Sequence, residues 1–290
     1  MIWLFRVIGR LPLWLNHTVG SALGWLVWYG SRRHRNLTRE HIAQYARHMK
    51  LDDTRPLLRA AIAEQGKGLS ELALAWTAPL SRLQQLIAGC SGWEYVDAAR
   101  VAQRPIIFVT PHLGCYDIAG RYLASRLPIT AMFRPPKLAS LEPLMREGRE
   151  RGGATTVPAD GGGVRGLLKE LKRGGSIMIL PDQVPAPEQG GDGEWVPFFG
   201  RPAYTMTLLP RLARSANAVV LFFFAERLAG GQGYRIHIEP MPEAFSTDRK
   251  TAADQTNRMV EKLVAMAPAQ YLWGYNRYKR PAGAPLPAAS

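Results

Sequence analysis

Residues 105–127 read PIIFVTPHLGCYDIAGRYLASRL. An apolar run of strand length, PIIFVT, is followed by a short turn that Gly114 can bend, and then by the amphipathic helical pattern DIAGRYLASRL. His112 then leaves the carboxyl end of a strand and Asp117 starts the next helix. The same alternation continues outward: ITAMF, the helix LASLEPLMREGRE, ATTVP, the helix VRGLLKELKR, and SIMILP. A loop rich in Gly and Pro is predicted over 184–200. After it come the helix TMTLLPRLARSA, the strands AVVLFFFAE and YRIHIEP, and a helix over 251–266. Strands alternating with helices predict an α/β fold with a mostly parallel central sheet flanked by helices. Residues 36–100 read as helical, 105–280 as the α/β core, and 282–290 (AGAPLPAAS) as a disordered tail.

In open α/β sheets, ligands sit beyond the carboxyl ends of the strands. Three polar clusters fall at such ends: His112 to Asp117, Arg134 after ITAMF, and Asp182 with Gln183 after SIMILP. A histidine held by a carboxylate can accept a proton, because the acid fixes the tautomer and stabilises the imidazolium. On this reading Asp117 orients His112, and Arg134 steadies an oxyanion or binds a phosphate. Cys115, near a helix start, offers a rival thiol nucleophile. A packing role suits it better, and no G-x-S-x-G elbow occurs.

The chain has 290 residues, 47% of them hydrophobic, with 37 Lys and Arg against 23 Asp and Glu, for a net charge of +14. Partners of such a chain are anionic: a phospholipid surface, an acidic protein or a nucleic acid. No nucleic-acid-binding pattern is present, and the cations are dispersed between apolar segments, so nucleic acid ranks last. Two cysteines exclude a disulfide scaffold and a four-thiolate metal site. Glu188, Asp192 and Glu194 read as a hydrophilic loop, His34, His41 and His48 as a polar helix face, and Gly161 to Gly163 as a plain loop. No metal or other cofactor is expected.

Residues 1–35 are rich in Trp and Leu and end in Arg32, Arg33 and Arg35. They read as a membrane anchor, either a tilted single span or an interfacial helix with its basic flank at anionic headgroups, and a buried core helix stands as the alternative.

HLGCYD, MFRPPK, REGRERGG, ILPDQ, WVPFFGRPA and QYLWGYNRYKRP occur in this order between residues 112 and 281. Together they resemble the lipid A late acyltransferases, the lauroyl and myristoyl transferases of the lysophospholipid acyltransferase superfamily. The resemblance implies an acyltransferase domain over 36–281, acting without metal at the cytoplasmic face of the inner membrane. It also implies transfer of a fatty acyl chain from acyl carrier protein to a hydroxyl of a phosphorylated lipid A precursor. His112 and Asp117 match its catalytic His-x4-acid positions. Arg134, Arg149, Asp182 and Gln183 match further polar positions and are expected to bind substrate. The lipid A enzymes usually carry Glu where this chain has Asp117, and commonly Asn and Trp where it has Cys115 and Tyr116. Two alternatives stand beside this reading: a lysophospholipid or other membrane-lipid acceptor, and a non-catalytic lipid- or carrier-binding protein. The acyl chain is expected in a groove lined partly by the aromatic segments.

Overall fold

Every apolar run quoted above is a strand of one seven-stranded sheet in the computed structural model, which describes residues 2–133, 139–187 and 191–287. The helices α1 (Ile2–Arg10), α2 (Leu13–Gly30), α3 (Arg32–Met49), α4 (Arg55–Thr77) and α5 (Leu80–Gln85) come first. Then follow β1 (Ile87–Ser91), α6 (Trp93–Val101), β2 (Ile106–Val109), α7 (Tyr116–Ala124) and β3 (Ile129–Phe133). Next are α8 (Glu142–Glu150), β4 (Ala154–Pro158), α9 (Gly161–Lys172), β5 (Ser176–Ile179), β6 (Gly193–Phe198) and β7 (Arg201–Met206). The chain closes with α10 (Leu208–Ala216), β8 (Val219–Arg227), β9 (Tyr234–Pro240) and α11 (Arg249–Met266).

The strand order is β1-β9-β8-β2-β5-β3-β4, parallel throughout except for the antiparallel β8–β9 pair. Helices cover both faces, which is why β2 and β8 are apolar without alternation. Ile107, Phe222 and Phe224 join the core under α9, α10 and α11, whereas Phe108, Leu221 and Phe223 join the core under α6, α7 and α8.

Three strands lie where the sequence suggested otherwise. β1, within the stretch read as helical, carries Gly89 and no clean alternation, and it forms the sheet edge beside β9. β6 and β7 form a hairpin across the expected loop, and Thr205 and Met206 belong to β7 instead of the following helix. Pro197 and Pro202 sit opposite each other in this hairpin, and proline argues against a strand when read in isolation. Phe199 and Gly200, both at positive φ, make its two-residue turn. The C-terminal segment is also tied down as far as it is described: Ala284 is buried, and Pro285 O accepts from Trp195 Nε1 at 2.8 Å. Residues 288–290 lie outside the described residues.

The N-terminal expectation needs a larger correction. Among the described residues no helix is long and apolar enough to cross a membrane, so the single span is not supported. Pro12 separates α1 from α2, and the polar Asn16-His17 pair turns inward onto α4. Asn16 Nδ2 donates to Ser70 O at 3.3 Å, and His17 Nε2 lies 2.8 Å from Glu71 Oε1. Gly20 and Gly24 meet Gly66 backbone to backbone, leaving no room for a side chain at the crossing. Outward, Trp3, Leu4, Trp14, Leu26 and Tyr29 are exposed.

Candidate active site

β2 and β5 are neighbours in register, with Val109 opposite Ile179. The third residue beyond each therefore falls at the same height, and these are His112 and Asp182. Asp182 grips the histidine twice: Oδ1 is 2.8 Å from ring Nδ1, and Oδ2 accepts the His112 backbone N–H at 2.9 Å. Burial alone would push the Asp182 carboxyl up. The His112 ring, its two hydrogen bonds and the nearby Arg277 guanidinium hold it below the ordinary carboxylate value instead. An ionised carboxylate only accepts, so Nδ1 carries the proton and Nε2 presents a lone pair. Gln183 Nε2 lies 3.0 Å from that Nε2, and the Tyr116 ring packs edgewise on the imidazole at 5.0 Å.

Asp117 does not hold His112. Its Oδ1 accepts from Arg149 Nε at 2.7 Å, joining α7 to α8, and the expectation of a His112–Asp117 hydrogen bond is corrected accordingly. The cause lies in the turn between them. Gly114 N donates to Gln270 O, Cys115 N to Ala225 O, and Leu272 N to His112 O, which pins 112–115 between two distant segments before α7 begins. Asp117 thus falls in the first turn of a helix that faces α8. Burial works against the Arg149 charge, but Asp117 outweighs it and raises the pKa of the guanidinium.

Behind the turn lies a charged network that the sequence reading did not single out. Arg227 Nη2 donates to Gly114 O at 2.7 Å and its Nε to Glu71 Oε2 at 2.7 Å. Glu71 also takes the Tyr234 hydroxyl and the His17 ring, each at 2.8 Å. Burial opposes the Glu71 charge, yet Arg227 and His17 bring its pKa to about 2. Gly114 has φ +60°, and a β-carbon there would collide with the Ala225 carbonyl. The sequence signal for this network was an acid, Glu71, at the head of the apolar run LALAW of α4.

The other expected residues are placed as follows. Arg134 lies outside the described residues, as does Glu188. Asp192 and Glu194 are both paired with Arg249. Gly161 to Gly163 open α9, whose N-terminus is capped internally by the Asp160 carboxylate on Gly163 N. His41 is buried and bonded to Trp273 O at 2.7 Å, so it belongs to the core and not to a polar face. Cys115 is buried, and that burial pushes its thiol pKa well up, the opposite of what a thiolate nucleophile needs.

His112, Tyr116, Asp117, Arg149 and Gln183 share one end of a cavity of about 260 Å³, whose remaining wall includes Met132, Met178, Leu180, Met206 and Leu208. The wall is aliphatic and Met-rich, a surface that adapts to flexible apolar ligands. The aromatic side chains of Phe198, Phe199, Tyr271 and Trp273 pack into the core instead.

A histidine bonded to a buried carboxylate at the carboxyl ends of parallel strands, opening on an apolar cavity, has the layout of a group-transfer enzyme for a lipid-like substrate. The comparisons make the class definite. The profile described as bacterial lipid A biosynthesis acyltransferase matches residues 1–280, and the chain belongs to that family. It is 26% identical over 286 residues to the lipid A biosynthesis palmitoleoyltransferase of Escherichia coli (strain K12), covering 98% of this chain and 90% of the relative. To the lipid A biosynthesis lauroyltransferase of the same organism it is 27% identical over 292 residues, covering 98% and 91%. A lipid A biosynthesis acyltransferase of Haemophilus influenzae is 26% identical over 282 residues, covering 94% and 84%. The protein is an O-acyltransferase of lipid A biosynthesis.

Proposed function

We propose that the protein moves a fatty acyl chain from acyl carrier protein to a hydroxyl of a phosphorylated lipid A precursor at the inner membrane, by direct transfer. The observation that carries this reading is His112, with Nδ1 bound to Asp182 and Nε2 directed at Gln183 in the apolar cavity. His112 Nε2 takes the proton of the acceptor hydroxyl. The oxygen forms its bond to the thioester carbonyl, the C–S bond breaks, and His112 returns the proton to the departing thiolate. Asp182, bonded directly to the ring, takes the orienting role that the sequence suggested for Asp117. The Asp117–Arg149 pair presents a partly exposed guanidinium to the same cavity for a phosphate or an oxyanion. A covalent route through Cys115 is disfavoured by its burial.

Membrane attachment in this reading is interfacial. Trp3, Leu4, Trp14, Leu26 and Tyr29 enter the headgroup boundary, flanked by the exposed Arg6, Arg10, Arg32 and Arg33. The test is reconstitution with acyl carrier thioester and a lipid A precursor, read by lipid mass spectrometry. The expected product carries one added acyl group, and donor alone leaves the intact protein mass unchanged. An acyl adduct on Cys115 formed at the turnover rate would overturn direct transfer. Acylation of a lysophospholipid in preference to the lipid A precursor would overturn the acceptor.

A further inference from the structure

The catalytic cavity continues beyond the site. Met132, Ala159, Pro185, Met206 and Leu208 line both it and a second lobe of about 250 Å³, so the two form one groove. The second lobe opens at Asp160, Asp192 and Arg211, between the start of α9 and α10. Both carboxylates at this mouth are engaged, Asp160 in capping α9 and Asp192 in its pair with Arg249. Arg211 is exposed and has no carboxylate partner among the described residues.

Beside the mouth runs a stripe of like charge. Arg165, Lys169 and Lys172 recur at i, i+4 and i+7 along α9, opposite the buried Leu167 and Leu171. All three are exposed, and none makes a salt bridge among the described residues. Like charges at i, i+4 repel, and the α9 dipole favours only the two in its last turn, Lys169 and Lys172. A solvated face is the ordinary reading of such a stripe, but here it starts at Arg165, whose guanidinium lies beside Gly161 in the lining of the second lobe, and runs from there along α9.

Its side of the molecule matters as well. α9, α10 and α11 pack on one face of the sheet and α6, α7 and α8 on the other, whereas α2 packs on α4. The groove mouth opens between α9 and α10, and none of the residues lining its lobe comes from α1 or α2.

We propose that the basic stripe of α9, with Arg211 at the groove mouth, is the docking surface for an acidic acyl-carrier protein, whose thioester arm enters through the second lobe. This rests on the acyl-carrier donor proposed above and adds the surface that receives it. Charge complementarity fixes the choice of occupant: an acidic carrier offers the anions that the stripe has no partner for, and steers association at low salt.

The experiment compares two donors, the acyl thioester on its carrier protein and the same acyl group on pantetheine, with the unaltered protein, Arg165→Gln/Lys169→Gln/Lys172→Gln and Arg165→Glu/Lys169→Glu/Lys172→Glu. For the carrier-borne donor, KM should rise about threefold in the neutral variant and tenfold or more in the reversed one, with kcat within twofold. The pantetheine donor should be unaffected, and raising salt should erase the difference between the proteins. An unchanged KM for the carrier-borne donor would overturn the proposal. So would a rise confined to the lipid acceptor, which would assign the stripe to acceptor phosphates. If the unaltered protein transferred from neither donor, the donor reading itself would fail, and the docking surface with it.

Discussion

At His112 each ring nitrogen has its own neighbour, Asp182 on one side and Gln183 on the other, and the two carboxylates near the site divide accordingly. Asp182→Asn keeps shape but can donate to Nδ1, presenting the wrong tautomer at Nε2. A loss of kcat of about 10³- to 10⁴-fold is expected, with the fold intact by circular dichroism. Asp117→Asn breaks the Arg149 pair instead. Its expected loss of kcat/KM is smaller, about 10- to 100-fold, and the gap between the two variants measures which acid serves the base. Glu71 makes a different prediction, on stability. Its folded pKa of about 2 lies below its ordinary 4.5, so its stabilisation is complete above pH 4.5 and is lost as pH falls toward 2. Urea midpoints between pH 5 and 2.5 should therefore fall less steeply in Glu71→Gln than in the unaltered protein. That variant should also be less stable at pH 7 by about 3 kcal/mol, since it leaves Arg227 buried with a weakened partner. At this scale the sequence showed His112, Asp182 and Gln183 as strand-end polar residues. It did not show which acid meets the base, because that depends on β2 lying next to β5, a sheet order that no local pattern encodes.

The element that matters most is the turn from β2 to α7. Residues 113–115 are bound on one side by β8 and on the other by the 270–272 segment, so the position of His112 is set by segments distant in sequence. The α2–α4 crossing supports it from behind through His17, Glu71 and Arg227. Gly66→Ala should wedge α2 away from α4, because a methyl group there meets the Gly20 carbonyl and the Gly24 backbone. A loss of about 1–3 kcal/mol is expected, read as a lower Tm, and an unchanged Tm would mean that the crossing is looser than described. The βα units were legible because each strand is a short apolar run followed by a helical period. The β6–β7 hairpin was not, since paired prolines mask it, and neither was the inward face of α2, whose Asn16 and His17 look like defects in a span until Ser70 and Glu71 are seen opposite them.

For the whole molecule, two kinds of surface lie on different helices. α2, packed on α4, carries the exposed Trp14 and Leu26, and α9 with α10 carries the mouth of the groove. Trp14→Glu/Leu26→Glu should reduce co-sedimentation with anionic vesicles at least severalfold while leaving Tm within a few degrees, because both side chains are exposed. Equal binding by the variant would place the membrane contact elsewhere. The net charge of +14 pointed to anionic partners from composition alone, but which helix carries each exposed surface is visible only in the fold. The central claim is that His112 is the base for direct transfer, and single-turnover acyl transfer by His112→Ala tests it most directly. With both substrates saturating and the variant shown to be folded, the rate of product formation is expected to fall by about 10² to 10⁴ or more. A folded His112→Ala protein that transfers within a few-fold of the unaltered rate would contradict the account.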